Sequence, residues 1–163
     1  MNIDELTANM LHQNAIDFAG AAKACLDAGE HTWPILHLCG ISIELSLKGF
    51  LRATTNMNID EIRKVVWHDL NKGLSVANEN GLKKFIQLDH DQELELSNLS
   101  LYYSKRLFEY PEQPFMIHPS PPKKFVELAI LFNTNLEDLC WEQRNRHYGK
   151  PSAYKRDKIE TSG

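Results

Sequence analysis

Apolar residues return along this chain at helical spacing through most of its length. Leu6, Met10, Ala15, Phe18, Ala22 and Cys25 form one stripe and predict a first helix over residues 4–28, stopped by Gly29. A second helix is predicted from Thr32, a cap residue, with Pro34 in the first turn where its missing N–H costs nothing. It continues to Ala53 through "ILHLCGISIELSLKGFL", apolar around most of its circumference, and so should be the central and most buried element. "TTNMNIDEIRKVVW" reads as a connection with room for a short helix at Asp60–Val66. Asp69 caps a third main helix ending near Asn80–Gly81, and Asp89 or Asp91 opens a fourth. The fourth should turn Leu94, Leu99, Tyr102, Tyr103 and Leu107 inward. Proline-rich "EYPEQPFMIHPSPP" cannot be regular helix. A fifth helix, 122–147, carries Phe125, Leu128, Phe132, Leu136 and Leu139 before Gly149 and Pro151 end it.

The expected fold is therefore all-α, an up-and-down bundle of about five helices over residues 1–150, with a polar, disordered tail over 151–163. At 163 residues, 42% hydrophobic and 25% charged, the chain has the composition of one soluble domain. No apolar run reads as long as the ~20 residues that cross a bilayer, and the acidic N-terminus lacks the layout of a signal peptide. Together with the odd, scattered set of Cys25, Cys39 and Cys140, this predicts a cytoplasmic protein with buried thiols and no membrane association. The net charge is −4, yet residues 144–158 hold six basic side chains against Asp157, a local +5, and the rest of the chain totals −9. Such a body does not coat nucleic acid, although its basic end suits either a solvated tail or a local phosphate contact.

Several side chains are candidates for chemistry. His37, Glu44 and Lys48 fall within about 40° of one another around the second helix. On so apolar a helix these polar groups must reach solvent, a groove or a partner. In "WHDL", Asp69 is a helix cap and His68 either bonds back into the bundle or binds a ligand. "WEQRNRHYGKP" places Arg144, Arg146 and His147 at a helix end, where cations complement the exposed carbonyls and the macrodipole. Arg144 and His147, at i and i+3, also bring a phosphate-holding cation beside a base that titrates near neutral pH. No CxxC, HExxH or clustered carboxylate pattern calls for a metal, and no glycine-rich phosphate loop or GxSxG elbow calls for a cofactor or a serine nucleophile.

"LHLCGISIELSLKGFL", "HDLNKGL" and "YYSKRLFEYP", in that order, resemble the HEPN domains of prokaryotes. Glu44 and Lys48 match that family's Glu-x3-Lys pair, His68, Asp69 and Leu70 its His-Asp-Leu, and Tyr110 and Pro111 its aromatic-Pro turn. The resemblance spans residues 8–147 and implies a helical bundle that dimerises and works in toxin–antitoxin or phage-defence systems. Its partners there would be RNA, an antitoxin or a nucleotidyltransferase. Many members cleave RNA without metal through Arg-x(4–6)-His, and others only bind RNA, nucleotides or proteins. Here two residues separate Arg144 from His147, Trp67 stands before His68 where a small residue is expected, and Glu109 replaces a basic residue. The expectation is a non-catalytic binding module with His37, Glu44, Lys48, His68, Asp69 and Arg146 as binding residues. The alternative is a metal-independent endoribonuclease using Arg144 and His147.

Overall fold

The computed structural model describes residues 7–105 and 120–148, apart from the side chains of 144–148, and every regular element among them is helical. Helix α1 spans Ala8–Asp27. The Thr7 hydroxyl caps it by accepting from the Met10 N–H at 3.2 Å. At its other end Gly29 takes φ +72°, the Glu30 N–H reaches the Cys25 carbonyl at 3.0 Å, and the Gly29 N–H reaches that of Leu26 at 3.1 Å. This doubly bonded left-handed stop is the reason for a glycine there. The buried face differs from the one expected. Ala8, Leu11, His12, Ala15, Ala19 and Ala22 turn inward, while Met10, Phe18 and Cys25 are only half-buried. Alanines win that face because they let the helix backbones approach closely. Leu6 lies outside the described residues.

Helix α2, Thr32–Thr54, is the central element. His31 is its N-cap residue, so Thr32 is the first helical residue rather than the cap. Leu36, Cys39, Ile43, Leu47, Phe50 and Leu51 are fully buried, and α2 touches every other helix of the bundle. By length and apolarity it could cross a bilayer, contrary to the reading of the sequence, but 67% of its most apolar window is buried against protein. Its polar positions are tied across the core. Ser42 Oγ donates to the Ala15 carbonyl at 2.8 Å, and Ser46 Oγ donates to Asn133 Oδ1 at 2.7 Å. Asn133 Nδ2 donates to the Ala15 carbonyl at 3.2 Å and lies 3.3 Å from Ser42 Oγ. These bonds join α1, α2 and the last helix in one buried network.

The connection after α2 folds into a short helix, α3 (Ile59–Val65), which makes six α-helices among the described residues. It forms because Asn58 and Glu61 close a reciprocal capping box and Ile59 and Ile62 are buried. Helix α4 (Leu70–Glu79) is capped by Asp69, whose Oδ1 accepts from the Lys72 N–H at 3.0 Å. A single 3-10 turn, Leu82–Lys84, leads to α5 (His90–Ser104), capped by the Asp89–Gln92 box. On α5, Leu96, Leu99, Tyr102 and Tyr103 are buried, but Leu94 is 53% exposed. Glu95 takes the neighbouring buried position, with its Oε1 3.1 Å from Lys124 Nζ. Helix α6 runs Pro122–Tyr148 and buries Phe125, Leu128, Phe132 and Leu136, with Leu139 half-buried. Leu107, the proline-rich stretch up to residue 119 and the tail from 149 lie outside the described residues. Cys39 and Cys140 are buried free thiols that burial pushes up to about 12, and Cys25 is free and half-buried.

Two outcomes follow from this packing. Leu47→Asp places an unpaired charge in the fully buried centre of α2 and should abolish cooperative thermal unfolding near its wild-type midpoint. His12 is 3% exposed and neither ring nitrogen has a hydrogen-bond partner. Burial lowers its pKa below 6.5, only partly opposed by the Glu137 carboxylate. A lowered histidine pKa means that the unfolded chain binds the proton more readily, so stability falls as pH drops below 6.5. Thermal melts between pH 7 and 5 should show this loss in the wild type and a smaller one in His12→Met.

Candidate binding site around Glu44

The polar stripe expected on the second helix faces inward rather than to solvent. The Glu44 side chain is 8% exposed and that of Lys48 11%, one turn further along α2. Lys48 Nζ is hydrogen-bonded to Glu44 Oε1. The other carboxylate oxygen, Oε2, accepts from the Tyr103 hydroxyl of α5 at 2.8 Å and meets His68 Nδ1 at 3.0 Å. Both oxygens are thus engaged by donors from α2, α5 and the α3–α4 connection. This is the arrangement a buried carboxylate requires, since an uncompensated one would cost several kcal/mol.

Each partner is positioned by its local sequence. Tyr103 comes close because position 40 is glycine: a Cβ there would lie 2.6 Å from Tyr103 Cδ2. Burial, then the neighbouring Glu44 charge and hydrogen bond, push the Tyr103 phenol well above its usual range, so it remains a donor. His68 has φ +49°, the one positive value outside glycine among the described residues. Histidine is tolerated there better than most side chains, and the turned backbone sends its ring back towards α2 while Asp69 starts the next helix. Asp69 is a structural residue, because its Oδ1 caps α4 and Ser100 Oγ lies 3.5 Å away. His37 borders the cluster through the Tyr103 ring, at 5.9 Å between centroids.

With Nδ1–H directed to a carboxylate, His68 presents Nε2 as its remaining ring nitrogen, and its side chain is 32% exposed. Trp67 lies beside it, 57% exposed, with ring centroids 5.0 Å apart. The cluster therefore offers the outside an aromatic surface and one ring nitrogen, while the carboxylate behind them is already saturated. The carboxylate fixes the His68 ring, and Nε2 is the nitrogen left to meet a ligand.

His37, Glu44, Lys48, His68 and Asp69 are brought to one region of the bundle. Arg144, Arg146 and His147 lie on the last turns of the α6 backbone, and their side chains, like Tyr110 and Pro111, lie outside the described residues. Tyr103, Gly40 and the Ser42–Ser46–Asn133 network were missed. The sequence pattern turns Tyr103 inward only as a core residue, and the one available signal for more is that a buried Glu44 needs a second donor. Among the described residues no group of three metal-ligating side chains comes together. No protein-family model, curated protein or solved structure matches this chain.

Lys48→Met removes the cation from a carboxylate that remains buried, and should lower stability by about 3 kcal/mol or more in denaturant titration. Gly40→Ala drives a methyl group into the Tyr103 ring. It should destabilise by at least about 1–3 kcal/mol despite alanine's better helix propensity. A neutral or stabilised Gly40→Ala protein would show that Tyr103 does not seat where described.

Proposed function

We propose that this protein is a non-catalytic, HEPN-like binding module, cytoplasmic and homodimeric, serving a toxin–antitoxin or defence system. The observation that carries this reading is the complete internal use of Glu44. Its two oxygens are engaged by Lys48, Tyr103 and His68, so the buried charge of the central helix supports a shape and the Glu44 carboxylate is not itself presented to a substrate. What faces outward at the same place, Trp67 and the open edge of His68, is recognition chemistry. RNA, a nucleotide or a protein such as an antitoxin or nucleotidyltransferase are the ligands this reading proposes, with no metal or cofactor.

The competing reading is a metal-independent endoribonuclease in which Arg144 holds the phosphate and His147 takes the 2′-hydroxyl proton. Positions i and i+3 near the end of α6 are neighbours on one helical surface, which is what favours it. The two are separated by incubating purified protein with labelled RNA in EDTA, beside Arg144→Ala and His147→Ala. The binding-module reading expects intact RNA in all three. Cleavage by the wild type that disappears in both variants would overturn it.

A further inference from the structure

Helix α4 ends where the chain turns into the 3-10 segment, and that turn selects two residues. Gly81 takes φ +93° and ψ 18°, a left-handed conformation that a side chain would oppose. Asn80, the C-cap before it, donates from Nδ2 to the Val76 carbonyl at 2.8 Å. That carbonyl is among the last of the helix, where a side-chain donor supplements the thinning backbone bonds. The fold therefore asks for glycine at 81 and favours asparagine at 80. Together they make the one Asn-Gly pair in the sequence.

Asn-Gly is the pair in which a backbone nitrogen most readily attacks the preceding side-chain amide, because glycine has no Cβ to obstruct the approach. The Gly81 nitrogen, deprotonated by solvent base, forms a bond to Asn80 Cγ. The bond from Cγ to Nδ2 breaks, and that nitrogen leaves as ammonia carrying the displaced proton. A cyclic succinimide remains. Water then opens the ring at either carbonyl, leaving aspartate or isoaspartate, and no enzyme, metal or oxidant is required.

Asn80 is exposed and Gly81 half-buried, so water and hydroxide reach the pair. Lys84 folds back over the turn, with Nζ 4.0 Å from where a Cβ of Gly81 would stand. Its cation favours the negative charge that develops during the attack. The closed cap opposes reaction, because it holds both groups. The Gly81 N–H donates to the Asn78 carbonyl at 3.1 Å, and the leaving Nδ2 is held by Val76. Helix ends open locally far more often than a core does, and attack then proceeds from the opened cap. We propose that Asn80 is a site of spontaneous deamidation, gated by opening of the α4 C-cap. The product cannot close the cap again. A carboxylate has no hydrogen to donate to Val76, and it adds negative charge beside the carbonyls of a helix C-terminus. Isoaspartate also lengthens the backbone by one methylene just before Leu82, which is fully buried. The modification thus weakens the corner that joins α4 to α5, whatever the Glu44 region binds.

Peptide mass mapping tests it, on purified protein incubated in mildly alkaline buffer made with heavy-oxygen water, both native and in denaturant. Asn80 should exchange its amide nitrogen for one heavy oxygen, with isoaspartate the major product. In the native chain this should run at least tenfold faster than at any other asparagine, and denaturant should speed it several-fold. Asn80→Gln, whose amide would have to close a larger ring, should stay unmodified. Asn80→Asp, which stands in for one product, should lower the thermal midpoint by about 1–4 °C. A native chain left unconverted at position 80, or converted first at another asparagine, overturns the site. Equal rates in the native and denatured chains overturn the gating by the cap. An Asn80→Asp protein that melts with the wild type overturns the loss of the corner.

Discussion

A carboxylate placed inside the most apolar helix of a bundle must be given donors, and much of this structure follows from supplying them to Glu44. Lys48 comes from the next turn of α2 itself, but the other oxygen has to be satisfied from elsewhere in the chain. That requirement draws the Tyr103 end of α5 onto α2, where Gly40 makes room for the ring. It also holds the α3–α4 connection through His68, whose left-handed backbone lets one residue face inward while the next caps a helix. Leu47 and Phe50 supply burial that is tolerant in direction. The hydrogen bonds to Glu44 are not tolerant, and they select one relative placement of three segments.

The other half of the bundle is held on a different principle. Between α1 and α2 the contacts are small: Ala15, Ala19 and Ala22 on one side, and Gly49 on the other, where a Cβ would lie 3.3 Å from the Ala8 carbonyl. Asn133 then ties α6 to both, by bonding the Ala15 carbonyl and the Ser42 and Ser46 hydroxyls. Close backbone approach and a fully paired amide fix the distance and rotation of α1 and α6.

Much of the architecture was legible in the sequence, because helix starts and stops are local chemistry. Asp69 and Asp89 cap the helices expected of them, Gly29 ends α1, and the continuous apolar stretch of α2 is the core helix. The errors have one physical origin. A periodic apolar stripe gives a helix its face only to within a residue or so, and partners decide the rest. Thus alanines displaced Met10 and Phe18 from the α1 interface, and Glu95 rather than Leu94 is buried on α5 once Lys124 stands opposite. At the site, Glu44, Lys48 and His68 were visible as unusual residues, but their common destination was not. Tyr103 is 59 residues from Glu44, and no local pattern pairs them.

The central claim is that Glu44 organises the segments around it, and a double-mutant cycle between α2 and α5 measures that directly. Denaturant titrations of the wild type, Glu44→Gln, Tyr103→Phe and the double variant isolate the energy shared by the two side chains from the cost of each substitution. Both changes keep shape, so the cycle reads the hydrogen bond and its charge rather than a cavity. The account predicts a coupling of about 1.5 kcal/mol or more, as expected of a buried bond to a charged acceptor. Additive effects, with a coupling near zero, would contradict it and leave Glu44 as one buried residue among many.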